Sequence, residues 1–228
     1  MKTVSLPSGE TVPALGQGLW NIGDSLSTRK QEIASIQLGL DLGLTLVDTA
    51  EMYGDGRSEV LLGEALAGRR DQAFIVSKVL PSNAHSKGVV AACERSLKRL
   101  KTDRIDLYLL HWRGTFAFAE TLDGMVKLMQ AGKIRHYGVS NLDLADLNEW
   151  WPLSGGPALA TNQVLYNLMR RGIEWELLPW MMKRKIPAMA YSPIEQGRLS
   201  RHVKLRDFAK RHDMSATQAA LAWLLHRD

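Results

Sequence analysis

The chain has 228 residues, 45% of them hydrophobic and 23% charged, and it carries a formal net charge of +5. This is the composition of a globular domain, and it excludes a disordered, collagen-like or low-complexity chain. The basic residues are spread along the chain among apolar ones, which indicates solvated helix surface first and help in binding an anionic ligand second. No motif or basic face points to nucleic acid as a partner.

Short apolar runs rich in Val, Ile, Leu and Tyr predict the strands. Their starts at residues 44, 73, 105 and 134 recur about every 30 residues, and stretches with helical periodicity fill the intervals. This rhythm is typical of strand–helix units repeated around a parallel sheet. After a first strand that begins at Leu15, the predicted strands cover 44–48, 73–78, 105–111, 134–140, 158–165 and 187–192.

The first predicted helix begins near Thr28, which has the spacing of a capping box with Gln31, and it ends before Gly43. A glycine suits the position just after a helix end, where the backbone often turns left-handed. Seven further helices are predicted over 59–66, 89–100, 121–130, 144–151, 173–184, 205–212 and 215–227.

Nothing in the sequence points to export. The single cysteine, Cys93, excludes an internal disulfide and hence a secreted disulfide scaffold. The first residues lack the apolar core of a signal peptide, and no apolar run approaches the ~20 residues of a membrane span. We therefore expect a cytoplasmic protein without a membrane partner.

Two architectures share the strand–helix rhythm, the doubly wound sheet and the eightfold barrel. The doubly wound sheet carries a glycine fingerprint for dinucleotides, but here Gly16 and Gly18 are followed by Asn21 where the third glycine should stand. A barrel places its chemistry at the carboxyl ends of different strands. Polar residues do follow the predicted strands, namely Asp48, Lys78, His111, Ser140 with Asn141, Asn162 with Gln163, and Tyr191 with Ser192.

The sequence thus predicts one α/β domain over residues 1–228, a (β/α)8 TIM barrel. Seven strands can be counted before Pro193, and the chain stops after the helix over 215–227. A barrel with seven strands would expose two edge strands, which natural proteins avoid. We therefore expect the eighth strand and its helix to be missing, and the domain to be truncated at its carboxyl end.

Asp48, Tyr53, Lys78 and His111 together suit a site that donates a proton. A tyrosine is a weak acid at neutral pH, but an adjacent ammonium, here Lys78, is expected to lower its pKa. Asp48 would keep that lysine charged in a partly apolar pocket, and His111 could orient a carbonyl oxygen. The set therefore fits the reduction of a carbonyl, with Tyr53 donating a proton to oxygen.

Several motifs follow one another along nearly the whole chain. They are Gly18-Leu19-Trp20, 47–54, Ser58-Glu59, 63–66, Val76-Ser77-Lys78, 106–112, 132–141, Asn162-Gln163 and 190–193. In this order they resemble the aldo-keto reductase family. Within that family, the segment 49–53 and the compact loops are similar to small bacterial reductases that act on methylglyoxal and related 2-oxoaldehydes.

The resemblance implies an NADP-dependent oxidoreductase that reduces aldehydes and ketones to alcohols, with NADP(H) as cofactor. It makes Asp48, Tyr53, Lys78 and His111 the catalytic tetrad, with Tyr53 as the general acid. The tryptophans Trp20 and Trp112 are expected to line the pocket for a small carbonyl substrate. The residues implied to contact the cofactor are Ser140, Asn141 and Gln163 on the nicotinamide carboxamide, Tyr191 on the ring, and Ser192, Pro193 and Ile194 along the pyrophosphate.

Other functions stay open at this stage. An NADPH-binding regulatory subunit with little turnover would carry the same motifs. A barrel lyase or isomerase could use Lys78 to form a Schiff base, but it would need neither Tyr53 nor a nicotinamide site. No histidine has the spacing of a zinc site, so we expect no metal.

The natural carbonyl substrate and the choice between NADPH and NADH are left undecided by the sequence. In the family, the residues that bind the adenosine 2′-phosphate belong to the eighth strand and helix, which would lie beyond Asp228. We expect a monomer, the usual state in the family, because no extended apolar helix face is left over for a large interface.

Overall fold

The computed structural model describes residues 1–227 and begins with a hairpin that the sequence analysis missed. Strand β1 (Thr3–Ser5) pairs antiparallel with β2 (Thr11–Pro13). The connection contains Gly9 with φ of 87°, a left-handed conformation that glycine adopts without steric cost. Two Thr-Val pairs around a Pro-Ser-Gly turn are a hairpin signal, but each strand is too short to stand out from a single sequence.

The other seven strands form one parallel sheet whose spatial order follows the chain. A doubly wound sheet would reverse its strand order at a switch point, whereas here every strand lies beside its predecessor. The prediction of a barrel with seven counted strands is confirmed. The strands are β3 (Gln17–Gly18), β4 (Leu46–Asp48), β5 (Phe74–Val79), β6 (Ile105–Leu110), β7 (Ile134–Ser140), β8 (Asn162–Leu165) and β9 (Ala188–Tyr191).

Within residues 1–227, eight α-helices accompany the strands. Six of them connect successive strands of the sheet and two follow β9. They are α1 (Arg29–Asp41), α2 (Arg57–Ala65), α3 (Ser86–Leu100), α4 (Phe118–Gln130), α5 (Leu144–Trp150), α6 (Leu177–Lys183), α7 (Val203–Arg211) and α8 (Ala216–Leu225). No helix within residues 1–227 combines the length and the apolar character that a membrane crossing needs.

Three details of the predicted elements are wrong. The Thr28 side chain does not cap α1 and donates instead to the Glu32 carboxylate, although Gly43 does turn left-handed after the helix as predicted. The helix predicted over 173–184 starts only at Leu177, because a separate 3-10 turn precedes it and Pro179 is tolerated only in a first turn. The strand predicted over 158–165 begins at Asn162, after a 3-10 turn.

The strands bury both faces in two separate apolar clusters. In β5, Ile75 packs in the large cluster between sheet and helices, whereas Val76 packs in a smaller cluster inside the barrel. The inner cluster also holds Leu6 and Val12, so the hairpin packs against the inner face. Because successive side chains of a strand alternate between faces, these two clusters fix which residues point into the barrel.

Candidate active site

The inner face of the barrel collects the candidate residues at the carboxyl ends of the strands. Leu46 and Val76 pack in the inner cluster, so Asp48 and Lys78, two positions further along, lie on the same face. Leu109 places His111 on this face in the same way. On β7 and β8 the neighbouring residues Val139 and Val164 pack outward, which turns Ser140 and Gln163 inward. On β9, Met189 packs against the inner cluster, so Tyr191, two positions further along, faces inward as well. The predicted convergence of the strand ends is therefore observed.

Lys78 lies at the centre of the site and is completely buried. Its Nζ donates to both carboxylate oxygens of Asp48, at 2.8 and 2.9 Å, to the Thr49 carbonyl at 2.8 Å and to the Tyr53 hydroxyl at 3.3 Å. Burial lowers the pKa of Lys78, and the Asp48 carboxylate opposes that shift. The ion pair with Asp48 thus makes a charged lysine tolerable inside the barrel.

The Thr49 carbonyl is held in place from the helix side. The hydroxyl groups of Thr49 and of Ser58 in α2 are hydrogen-bonded to each other at 2.9 Å, and the Ser58 hydroxyl also donates to the Leu19 carbonyl. Thr49 and Ser58 are both fully buried. Thr49 had no predicted role, and no sequence signal indicates that a main-chain carbonyl would bind the lysine.

Tyr53 follows β4 at the start of a 3-10 turn whose next two residues, Gly54 and Asp55, have φ near 55° and 52°. Lys78 Nζ lies 4.8 Å from the centroid of its ring, and the His111 ring lies 5.8 Å away edge to face. The segment between β4 and Tyr53 is held against the residue after β5 by Glu51, whose carboxylate accepts a hydrogen bond from the Leu80 N–H at 2.7 Å. The tyrosine hydroxyl is thereby held beside the ammonium.

The pKa of Tyr53 contradicts the expectation from the sequence. Burial raises it, and the Asp48 carboxylate and Tyr191 raise it further. The Lys78 ammonium does not reverse this, because Asp48 lies beside it and compensates its charge. Tyr53 therefore keeps its proton at neutral pH, which is the form that a proton donor needs.

His111 is buried and neutral. Burial, and then the nearby charge of Lys78, lower the pKa of His111 to about 3. Its Nδ1 atom is buried and has no hydrogen-bond partner among residues 1–227. A buried polar atom without a partner is uncommon, and a catalytic role is one of the explanations for it.

Acidification should destabilise the protein through His111. The ordinary pKa of 6.5 falls to about 3 in the folded state, so between these values the unfolded chain binds a proton that the folded chain does not. The free energy of unfolding should therefore drop as the pH falls through this window, by up to about 1.4 kcal/mol per pH unit. Urea unfolding of the protein and of His111→Gln at several pH values measures this. Equal slopes for the two proteins would contradict the assignment.

The residues predicted to contact a cofactor join the same network. Gln163 Nε2 donates to Asp48 at 2.8 Å, and Ser140 donates to the Gln163 carbonyl at 2.9 Å. The Asn141 amide donates to the His111 carbonyl at 3.1 Å and accepts from the Tyr191 hydroxyl at 2.8 Å. These bonds connect β4, β6, β7, β8 and β9, and the bond between Gln163 and Asp48 had no signal in the sequence.

The remaining predicted residues lie around the mouth of the site. Trp112 follows β6 and packs its ring against that of His111, with centroids 4.6 Å apart, and it is partly exposed. Trp20 follows β3 and is exposed, and it lies at the same end of the barrel. Ser192, Pro193 and Ile194 follow β9, but Ile194 packs its side chain against a small apolar cluster with Leu199 and Leu205.

The fold and the site together define a class of protein, a parallel α/β barrel enzyme with a hydrogen-bonded cluster of titratable side chains at the carboxyl ends of its strands. Residues 14–228 match the model of the Aldo/keto reductase family. The chain belongs to this family.

Three similar proteins illustrate the match. Methylglyoxal reductase YeaE of Escherichia coli (strain K12) is 52% identical over 98% of this chain and 81% of its own length. Glyoxal reductase of Bacillus subtilis (strain 168) is 32% identical over 97% of this chain and 78% of its own length. The crystal structure of an aldo-keto reductase from Klebsiella pneumoniae in complex with NADPH superposes with a TM-score of 0.96 at 44% identity, covering 99% of this chain and 81% of that one.

Proposed function

We propose that this protein reduces small aldehydes and ketones to alcohols with NADP(H), and that Tyr53 is the general acid. The observation that carries the proposal is the hydrogen bond from Lys78 to the Tyr53 hydroxyl, inside a network that also contains Asp48 and neighbours His111. The lyase alternative is less suitable, because Nζ of Lys78 already donates to three groups and carries a proton.

The residues at the strand ends fit a nicotinamide cofactor by their chemistry. A carboxamide needs both donors and acceptors, and Ser140, Asn141 and Gln163 supply hydroxyl and amide groups of both kinds. Tyr191 adds an aromatic ring on the inner face of β9. When bound, NADPH supplies the hydride that adds to the carbonyl carbon.

The protein's own side chains would then handle the oxygen of the substrate. Tyr53 donates its proton to that oxygen as negative charge develops there. The raised pKa of Tyr53 is compatible with this role, because an alkoxide is a stronger base than a phenolate. Lys78 stabilises the phenolate that remains, Asp48 keeps Lys78 oriented, and neutral His111 can hydrogen-bond to the carbonyl oxygen without competing for its charge.

We also propose methylglyoxal and related 2-oxoaldehydes as the substrate class. The name of the Escherichia coli relative supports this, and a small substrate would lie between Trp20, Trp112 and the tetrad. We further propose that residues 1–228 belong to a single barrel domain that acts as a cytoplasmic monomer, with neither nucleic acid nor a membrane as partner. The free, buried Cys93 fits a reducing compartment.

The test is NADPH consumption with methylglyoxal as the substrate, followed at 340 nm beside NADH and beside Tyr53→Phe. The proposal expects consumption that depends on Tyr53, and the comparison with NADH settles the preferred cofactor. No consumption by a protein that binds NADPH would overturn the catalytic function and favour the regulatory one.

A further inference from the structure

The loop after β8 and the loop after β9 are joined by a buried side-chain pair. Asn167 is completely buried, and its Nδ2 atom donates to the Ser192 carbonyl at 3.0 Å and to Glu195 Oε2 at 2.6 Å. The Asn167 Oδ1 atom accepts from the N–H groups of Met169 and Arg170. All the polar atoms of this amide are therefore used to hold its own loop and the next one.

Glu195 is a carboxylate with little exposure, and it is compensated by arginine. Its Oε1 atom accepts from Arg170 at 2.9 to 3.0 Å, and Arg198 lies 3.5 Å away. A buried carboxylate is stable only when its charge is paired and its oxygens are hydrogen-bonded. Arg170 and Asn167 meet that need from the loop after β8, so Glu195 links the two loops.

The turn that these bonds hold is strained. Ser192, Glu195 and Gln196 have φ of 51°, 51° and 53°, in the left-handed region that side chains other than glycine rarely adopt. Such residues persist only where the surroundings fix them. Asn167 bonds to the first two of the three, which gives a physical reason why this conformation is maintained.

Tyr191 directly precedes this turn. Its hydroxyl is bonded to Asn141, and the carbonyl of the following residue, Ser192, is bonded to Asn167. The direction of the Tyr191 ring is therefore set from both sides. Loss of the contact at Ser192 would free the turn and let the end of β9 rotate.

We propose that Asn167 and Glu195 are positioning residues for the cofactor. They fix the turn over 192–197 and, through it, Tyr191, without contacting the cofactor themselves. This inference rests on the proposed function, because that function assigns Tyr191 and Ser192 to the cofactor.

The test exchanges the side-chain amide of Asn167 and the carboxylate of Glu195, first one at a time and then together. In Asn167→Asp a carboxylate faces that of Glu195 and the donor to Ser192 is lost, so the NADPH dissociation constant should rise about 30-fold. Glu195→Gln keeps an acceptor for Asn167 and should raise it only about 3-fold. The double variant restores an amide opposite a carboxylate and should bind NADPH at least about 3-fold more tightly than Asn167→Asp alone. Binding is measured by fluorescence titration without substrate.

Two further measurements separate positioning from a general loss of structure. Hydrogen exchange of the amides of 192–199 should accelerate in Asn167→Asp, while kcat at saturating NADPH stays within about 3-fold of the parent. Glu174→Gln is the matched control. Glu174 lies on the segment after β8 and pairs with Arg171 and with Arg227, which follows α8, and within residues 1–227 it has no hydrogen bond to the turn over 192–197. Glu174→Gln should change neither the hydrogen exchange of 192–199 nor kcat.

The outcomes are distinguishable from failure of the proposed function. If the parent protein binds no NADPH, the proposed function fails, whereas hydrogen exchange still reports on the pair. Unchanged exchange of 192–199 in Asn167→Asp overturns the positioning role. The positioning role is also overturned if all variants lose kcat and melting temperature to the same extent as one another and the double variant binds NADPH no better than Asn167→Asp.

Discussion

Tyr53→Phe should reduce the turnover of a carbonyl substrate by about 10²- to 10⁴-fold, the range that general acid catalysis contributes. The substitution removes one hydroxyl and keeps the ring that packs near His111. Lys78 loses its bond to the phenol but keeps Asp48 and the Thr49 carbonyl, so the buried ammonium stays satisfied. The loss should therefore be chemical rather than structural.

The measurement is kcat with methylglyoxal at saturating NADPH, together with the NADPH dissociation constant and the free energy of unfolding. Tyr137→Phe is a matched control, because the Tyr137 hydroxyl donates to the Gly155 carbonyl at 2.6 Å on the helix side of the sheet. That variant should lose about 1 kcal/mol of stability and keep its turnover. Near-parental turnover in Tyr53→Phe would remove Tyr53 from its role.

The architecture was predictable because a parallel barrel repeats one local pattern. The central strands β5 and β6 are short apolar runs with both faces buried, and a helix follows each of them within one period, so the rhythm survives errors at individual boundaries. The meeting of Asp48, Lys78 and His111 follows from the same regularity, since each ends a run at the same edge of the sheet. Residue types at strand ends therefore predict, from the sequence, the cluster of side chains that the structure brings together.

The features that could not be predicted from the sequence depend on distances between side chains that are far apart along the chain. The pKa of Tyr53 is raised by burial, by Asp48 and by Tyr191, and the sequence shows that these groups are present but not how closely they surround the hydroxyl. The bond from Gln163 to Asp48 spans 115 positions. Asn167 and Glu195 look like ordinary loop residues in the sequence, and only their burial against each other reveals a shared role.

The ion pair of Asp48 and Lys78 supports a second large effect, one that separates stability from catalysis. Asp48→Asn leaves the buried Lys78 without its counter-charge, and it should lower the free energy of unfolding by about 3 kcal/mol. Asp48 also opposes the lowering of the Lys78 pKa, so without it the lysine should lose its proton more readily. Turnover should fall about 100-fold, because the phenolate of Tyr53 would lose its stabilising charge.

The double variant Asp48→Asn with Lys78→Met distinguishes the two effects. Replacing both members of a buried ion pair is often close to neutral for stability, whereas removing one member leaves an uncompensated charge. The double variant should therefore regain stability to within about 1 kcal/mol of the parent, as measured by urea unfolding. Its turnover should stay at least about 100-fold low, since neither charge remains beside Tyr53. Recovery of turnover together with stability would show that the pair serves the fold alone.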